Sequence, residues 1–303
     1  MKTAIVTGAG GFIGGALAKA LLNSGYKVYG ADLKAEYLEP LCSFDMFIPV
    51  AIDLSLENLS DKIPEKIDVM FYLSWGGSLG GKDLYDVELQ TNNIKTAAKV
   101  CEDVSNICKR FVFISSSYEH MKSYDTKDFP INIYGIAKRA AGDICAQISS
   151  QNGMEYVKTV LTNTYGVGDR SQKAVNTIIN AMQNSLPLKL VEGNNPNDWV
   201  YINDTVKGLI HIAEQCESFR EYYIGHKNIS TFKDKIHDMG AVICPQRRFT
   251  FGEMPENTYI DYACLKEKIP EGFECQSDFK ESIMKTANWL KSAYHANSAG
   301  GGG

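Results

Sequence analysis

Among its eight cysteines the chain has no Cys-x-x-Cys pair, and its five histidines show no paired spacing, which argues against a zinc ribbon or finger. It also lacks a basic block: 31 Lys and Arg against 36 Asp and Glu leave a net charge of −5. Sequence-independent binding of nucleic acid is therefore not expected. The N-terminal apolar run stops at the glycines after Thr7, too short for a signal peptide or a membrane span. The expectation is a cytoplasmic protein with free thiols. Cys101 and Cys108, seven residues apart, read as one face of a helix. No internal repeat is visible. The rest is an ordinary globular composition, 44% hydrophobic and 22% charged over 303 residues, ample for a buried core.

Short β-rich runs alternate with helical stretches through the first half. Strands are expected at 3–7, 27–31, 69–73, 110–115 and 156–161, and helices at 13–23, 84–104 and 134–151. This alternation predicts an α/β fold, a Rossmann-type doubly wound parallel sheet with helices on both faces. After Tyr165 the pattern becomes irregular. Residues 1–165 with about 198–226 read as a dinucleotide-binding domain. Residues 166–197 with about 227–295 read as a smaller mixed α/β substrate region, and 296–303 as a disordered tail.

The segment from Ile5 to Gly14 lies where a first strand turns into a first helix. Gly8 permits the tight turn, Gly11 lets backbone N–H groups approach a pyrophosphate, and Gly14 lets helix and strand pack closely. Asp32 ends the second strand, eighteen residues beyond Gly14, where a carboxylate accepts from both adenosine ribose hydroxyls and repels a 2′-phosphate. NAD is thus favoured over NADP, with Lys34 as the rival phosphate ligand. Asp53, after a third apolar run, suits an adenine contact.

Phe111 to Ile114 is an apolar strand that ends in Ser115, Ser116 and Ser117. Downstream, Tyr134 and Lys138 share one helix face at i, i+4. Four Tyr-x-x-x-Lys segments occur, at Tyr118, Tyr134, Tyr223 and Tyr262, but only Tyr134 opens a helix of small residues after a serine-terminated strand. A tyrosine must lose about three pKa units to act as a base near neutrality, roughly 4 kcal/mol. A cation about 5 Å away at an effective dielectric near 20 supplies most of that. Ser117 would hold a substrate hydroxyl while Tyr134 removes its proton.

Together these residues resemble the extended short-chain dehydrogenase/reductase family, and more specifically its nucleotide-sugar epimerase/dehydratase branch. The resemblance extends to Asn92-Asn93, Asn163-Thr164-Tyr165-Gly166, Asp198 to Asp204 and Asn288-Trp289-Leu290. It implies an NAD enzyme with cofactor contacts at Phe12, Ile13, Leu54, Leu73, Ser74, Trp75, Asn93, Ser115, Tyr134 and Lys138. It further implies a nucleotide-diphosphate sugar substrate near Ser116, Ser117 and Asn163, and a homodimer through the two long helices around Ala97 and Ala140. The arginines usual in that branch are Val160 and Asn197 here, so Arg170, Arg247 or Arg248 would anchor the diphosphate. Glu119 matches the carboxylate that removes a proton beside the ketone in dehydratases. Phe71 to Gly76 resembles the strand end of certain ketosugar reductases. Epimerase is the leading expectation, with 4-ketoreductase or 4,6-dehydratase as alternatives and a silent NAD-binding regulator as a remote one.

Overall fold

The computed structural model describes residues 1–77, 81–124 and 132–299. The chain runs β1 (Thr3–Thr7), α1 (Phe12–Asn23), β2 (Lys27–Asp32), β3 (Phe47–Ala51), β4 (Ile67–Tyr72), α2 (Val87–Val104), β5 (Cys108–Ser116) and β6 (Met121–Ser123). It continues through α3 (Ile133–Gln151), β7 (Glu155–Leu161), β8 (Asn163–Tyr165), α4 (Ala174–Gln183), β9 (Trp199–Tyr201), α5 (Ile202–Gln215) and β10 (Arg220–Ile224). The last elements are α6 (Phe232–Ile243), β11 (Thr258–Ile260), α7 (Tyr262–Lys266) and α8 (Phe279–Ala299).

Seven strands form one sheet in the order β10-β7-β5-β4-β1-β2-β3, and every pairing is parallel. This is the expected doubly wound Rossmann-type sheet. Its strands are apolar on both sides because helices cover both faces. Alternation within each strand divides the core: Val69, Phe71 and Val112 join α1 and α5 on one face. Met70, Tyr72, Phe111 and Phe113 join α2 and α3 on the other. Each large apolar side chain buried this way contributes roughly 1.5–3 kcal/mol. β8 pairs with β9, and β6 with β11, in two small separate ribbons. The helices α4, α6 and α8 pack against one another beside the sheet.

Some boundaries differ from the sequence reading. Residues 81–85 form a 3₁₀ turn, and α2 begins only after Asp86, whose carboxylate accepts from the Leu89 N–H. Cys108 opens β5 while Cys101 lies in α2, so the two do not share a helix face. The short polar stretch between them ends the helix at Val104. All eight cysteines are free: Cys101, Cys108 and Cys145 are buried, and Cys42 and Cys264 are exposed. The helix α8 continues to Ala299, beyond the expected start of a tail at 296, and 300–303 lie outside the described residues. Among the described residues no helix is long and apolar enough to cross a membrane.

Candidate functional site

At the carboxyl ends of β1, β4 and β5, where strand order reverses, a cleft of ≈ 800 Å³ opens. Parallel sheets bind ligands in this position because the loops diverge there and helix N-termini point inward. One wall is the turn from β1 to α1. Gly8 has φ +67°, and a Cβ on Gly14 would lie 2.0 Å from the Gly8 carbonyl oxygen, so helix and turn can touch only without side chains. No side chain caps α1, and Gly11, Phe12, Ile13 and Gly14 line the cleft with the helix's first turn. An uncapped N-terminus of this kind presents free N–H groups and a positive dipole end to an anion. Asp32 stands beside the turn, where Oδ2 accepts from the Gly10 N–H at 2.9 Å and Oδ1 from the Leu33 N–H at 2.8 Å.

The opposite wall comes from β5 and α3. The helix starts at Asn132, whose side chain accepts from the Gly135 N–H at 2.6 Å. A Cβ on Gly135 would lie 2.4 Å from the Tyr118 carbonyl, so glycine lets the helix close on the turn after β5. That approach brings the Tyr134 phenol within hydrogen-bonding reach of the Ser116 hydroxyl. Tyr134 and Lys138 are both buried, and both line the cleft with Ser115 and Ser116. Lys138 Nζ donates to the Ile114 carbonyl at 2.9 Å and lies 3.8 Å from the centre of the Trp75 ring. Burial pushes Lys138 down to about 7. Burial also holds the Tyr134 phenol above its ordinary range, against the smaller pull of Ser116. Desolvation in this cleft therefore raises the tyrosine, where the sequence alone led to the expectation that the lysine would lower it.

Trp75, Gly76 and Gln90 form the third side. Trp75 Nε1–H donates to Gln90 Oε1 at 2.9 Å, and Gln90 Nε2 donates to the Asp83 carbonyl at 2.8 Å. Asn93 does not reach the cleft, but its amide brackets Gly76, accepting from the N–H at 2.8 Å and donating to the carbonyl at 3.0 Å. The Leu73 and Ser74 N–H groups both donate to the Thr7 hydroxyl, which ties β4 to β1 at the cleft floor.

Other expected site residues lie elsewhere. Ser117 is buried and does not line the cleft, because the chain enters a 3₁₀ turn after Ser116 and strand alternation stops. Glu119 is also turned away. One of its oxygens accepts from Ser115 Oγ and the other from Lys158 Nζ at 2.5 Å. Lys158 is shared with Glu221 at 3.0 Å, and Lys268 reaches Glu221 at 2.6 Å. Glu119, His120 and Glu221 bring ligand-type atoms within 4.8 Å of one another, with the Lys158 ammonium between the two carboxylates. Burial raises Glu119, while its cationic and histidine neighbours hold Glu221 far below the ordinary carboxylate range.

Asp53 accepts from the Ser55 hydroxyl and N–H as a turn cap, and Leu54 is buried in the core. Asn163 begins β8 and donates to Asn197 at 3.4 Å. Arg170 does not line the cleft but lies in an adjoining groove along α1, which meets the cleft at Gly11 and Phe12. Arg247 donates to the Ala181 and Leu186 carbonyls at the end of α4, and Arg248 is exposed. Sequence reading missed Gln90, Thr162, Thr164 and the Ser171-Gln172-Lys173 segment, all of which line the cleft. For Gln90 a signal existed, its i, i+3 spacing to Asn93. Lys173 stands in an irregular stretch and carried none.

The sequence profile of the NAD dependent epimerase/dehydratase family matches residues 4–225. A Bacillus subtilis protein named uncharacterized UDP-glucose epimerase YtcB is 25% identical, over 96% of this chain and 98% of that protein. The CDP-abequose synthase of Salmonella typhimurium is 25% identical, over 92% and 95%. The crystal structure of the UDP-glucuronic acid 4-epimerase of Bacillus cereus, in complex with UDP-glucuronic acid and NAD, superposes with a TM-score of 0.79. It is 24% identical and covers 97% of this chain and 100% of that one.

Proposed function

The chain belongs to the NAD dependent epimerase/dehydratase family, and from that premise we propose that it is a nucleotide-sugar 4-epimerase working through a transient C4 ketone. The observation that carries this reading is the composition of the cleft. Serine, tyrosine and lysine side chains converge in it, and no Asp or Glu is among the described residues that line it. NAD fits these residues: Gly8, at φ +67°, makes the tight turn, a Cβ on Gly11 or Gly14 would crowd the Gly8 carbonyl that closes it, and the first turn of α1 offers N–H groups without a side-chain cap. Asp32 at the end of β2 suits the ribose hydroxyls and disfavours a 2′-phosphate by like charge. Bound there, NAD supplies a reversible hydride acceptor for C4.

The chain's own residues would manage the proton. Ser116, rather than Ser117, holds the C4 hydroxyl. Tyr134 accepts its proton and returns it, and the Lys138 ammonium stabilises the phenolate charge. Dehydration needs a further carboxylate beside the ketone, and Glu119 has both oxygens committed to Ser115 and Lys158. With arginine absent at 160 and 197, Lys173 and the uncapped N-terminus of α4 are the diphosphate anchor that lies at the cleft. The division into a cofactor half, 1–165 with about 198–226, and a substrate half, 166–197 with about 227–295, is part of this reading: Gly8, Gly11 and Tyr134 line the cleft from the first, and Ser171, Gln172 and Lys173 from the second. A second copy docking on α3 suits Ile136 and Ile144, which are exposed there, and eight free thiols suit the cytoplasm.

A 4-ketoreductase is the second reading, favoured by Trp75 at the end of β4. One incubation separates the three reactions: NAD and a panel of nucleotide sugars in deuterium oxide, with products read by mass and NMR. The expected product is an epimer of unchanged mass, without carbon-bound deuterium and without net change in reduced cofactor. Loss of one water's mass, deuterium at C5 or C6, or stoichiometric formation of reduced cofactor with a 4-ketosugar, the ketoreductase reaction in reverse, overturns the epimerase assignment.

A further inference from the structure

Lys138 is buried and has no ion-pair partner among the described residues. The titratable groups facing it are Tyr134 on its own helix and Glu119 from the turn after β5. The Glu119 oxygens are committed to Ser115 and Lys158, so that charge acts on Lys138 only at a distance. What touches the ammonium is the Ile114 carbonyl, at 2.9 Å, and the indole face of Trp75, whose ring centre lies at 3.8 Å. Rings of Phe113 and Tyr134 stand farther off, at 5.5 and 6.0 Å. The indole is itself fixed. Its N–H is held by Gln90, Gln90 is held by the Asp83 carbonyl, and the following Gly76 is bracketed by Asn93. Its ring also meets Tyr134 edge-on, at 6.1 Å and 88°.

We propose that Trp75 is a positioning residue: its indole face takes the place of a carboxylate, keeping the buried Lys138 ammonium charged and aimed at the Tyr134 side of the cleft. An aromatic face attracts a desolvated cation more strongly than an exposed one, because water no longer competes. Unlike a carboxylate, it does so without adding a negative charge that would repel a phenolate or a nucleotide diphosphate. Burial alone pushes Lys138 toward its neutral form, and the indole opposes that. Loss of the ring should therefore make the ammonium discharge at lower pH. This inference rests on the roles proposed above for Tyr134 and Lys138.

The test uses the three tryptophans, Trp75, Trp199 and Trp289. Subtracting the emission of Trp75→Phe from that of the unmutated protein isolates the Trp75 signal. It should titrate near neutral pH and lose that transition in Lys138→Met. In the NAD-loaded enzyme, Trp75→Leu should move the alkaline fall of turnover about one pH unit lower, the size of a desolvated cation–π contact, giving about tenfold lower turnover above neutrality. Trp75→Phe, which keeps a π face, should retain most of the activity. Thermal unfolding and NAD binding are measured for both variants, and the phenylalanine variant keeps the test decisive if leucine unfolds the chain. A Trp75 emission without a Lys138-dependent transition overturns the inference. So does an equal, pH-independent loss in the leucine and phenylalanine variants. Emission that titrates with Lys138, in a protein that turns over none of the nucleotide sugars, supports the pairing and overturns the epimerase reading alone.

Discussion

Two groups of charge, each built around a buried lysine, lie on either side of the β5 strand end, and they are built in opposite ways. Behind the strand, Glu119, Lys158, Glu221 and Lys268 form a chain in which each charge meets its counter-charge at 2.5 to 3.0 Å. In front, Lys138 and Lys173 line a cleft that contains no carboxylate among the described residues. Paired buried charges hold a structure in register and are inert toward ligands. Unpaired ones keep their field for a molecule that arrives, at a cost in stability that function repays. The difference teaches where chemistry is to be sought: at the cations left without partners, not at the most conspicuous carboxylate.

The sharpest way to break this comparison is at the strand end itself, where Ser116 faces forward and Ser117 inward. Ser116→Ala should lower turnover roughly a thousandfold, within the range for removing a group that handles a proton. Ser117→Ala should stay within about twofold of the unmutated enzyme, measured as steady-state turnover at saturating substrate. Reversed losses would place Ser117 at the reacting hydroxyl and put the turn after β5 in a different conformation when substrate is bound.

What could be read in the sequence, and what could not, follows the same division. The glycine turn, Asp32 and the Tyr134/Lys138 pair are local patterns, spaced by one helical turn or one strand-turn-helix unit, so residue types and short spacings disclose them. The parallel sheet followed from alternating strand and helix runs, although β3 and the 3₁₀ turn before α2 left weak signals. The choice among three consecutive serines depended on where β5 stops, and strand ends are poorly marked in sequence. The fate of Glu119 depended on Lys158, 39 residues away on β7, and on Glu221, which faces Lys158 across β10. Without those partners, a carboxylate at the strand end reads as a base.

Glu119→Gln tests the paired side. The substitution keeps the shape but leaves the buried Lys158 with Glu221 alone, and breaking a buried ion pair costs about 3 kcal/mol. Thermal or urea unfolding should record that loss, while turnover per folded molecule stays within about threefold. Glu221 is present in both proteins: its folded-state pKa lies well below its unfolded value, so its contribution is complete above the unfolded carboxylate range and fades in each as pH falls below it. Its titration therefore does not separate Glu119→Gln from the unmutated protein. A stable Glu119→Gln protein arrested after C4 oxidation would make the carboxylate a base and collapse the distinction between the two groups.

The smallest expected effect concerns the second cation of the cleft and the arginine that sequence reading preferred to it. Arg247 has its guanidinium on the Ala181 and Leu186 carbonyls, where it completes the C-terminal end of α4 and complements the helix dipole. Lys173 precedes the first turn of the same helix, lines the cleft and makes no ion pair among the described residues. A diphosphate would therefore meet Lys173 and the α4 N–H groups at one end of the helix, with Arg247 at the other. Lys173→Ala should raise KM for the nucleotide sugar about tenfold, near 1.4 kcal/mol, with little change in kcat, because the contact is made equally in ground and transition states. Arg247→Ala should leave KM within about twofold and lower only the unfolding midpoint. If the arginine variant loses substrate affinity and the lysine variant does not, the anchor lies at the C-terminal end of α4, and the unpaired cations of the cleft do not mark the diphosphate site.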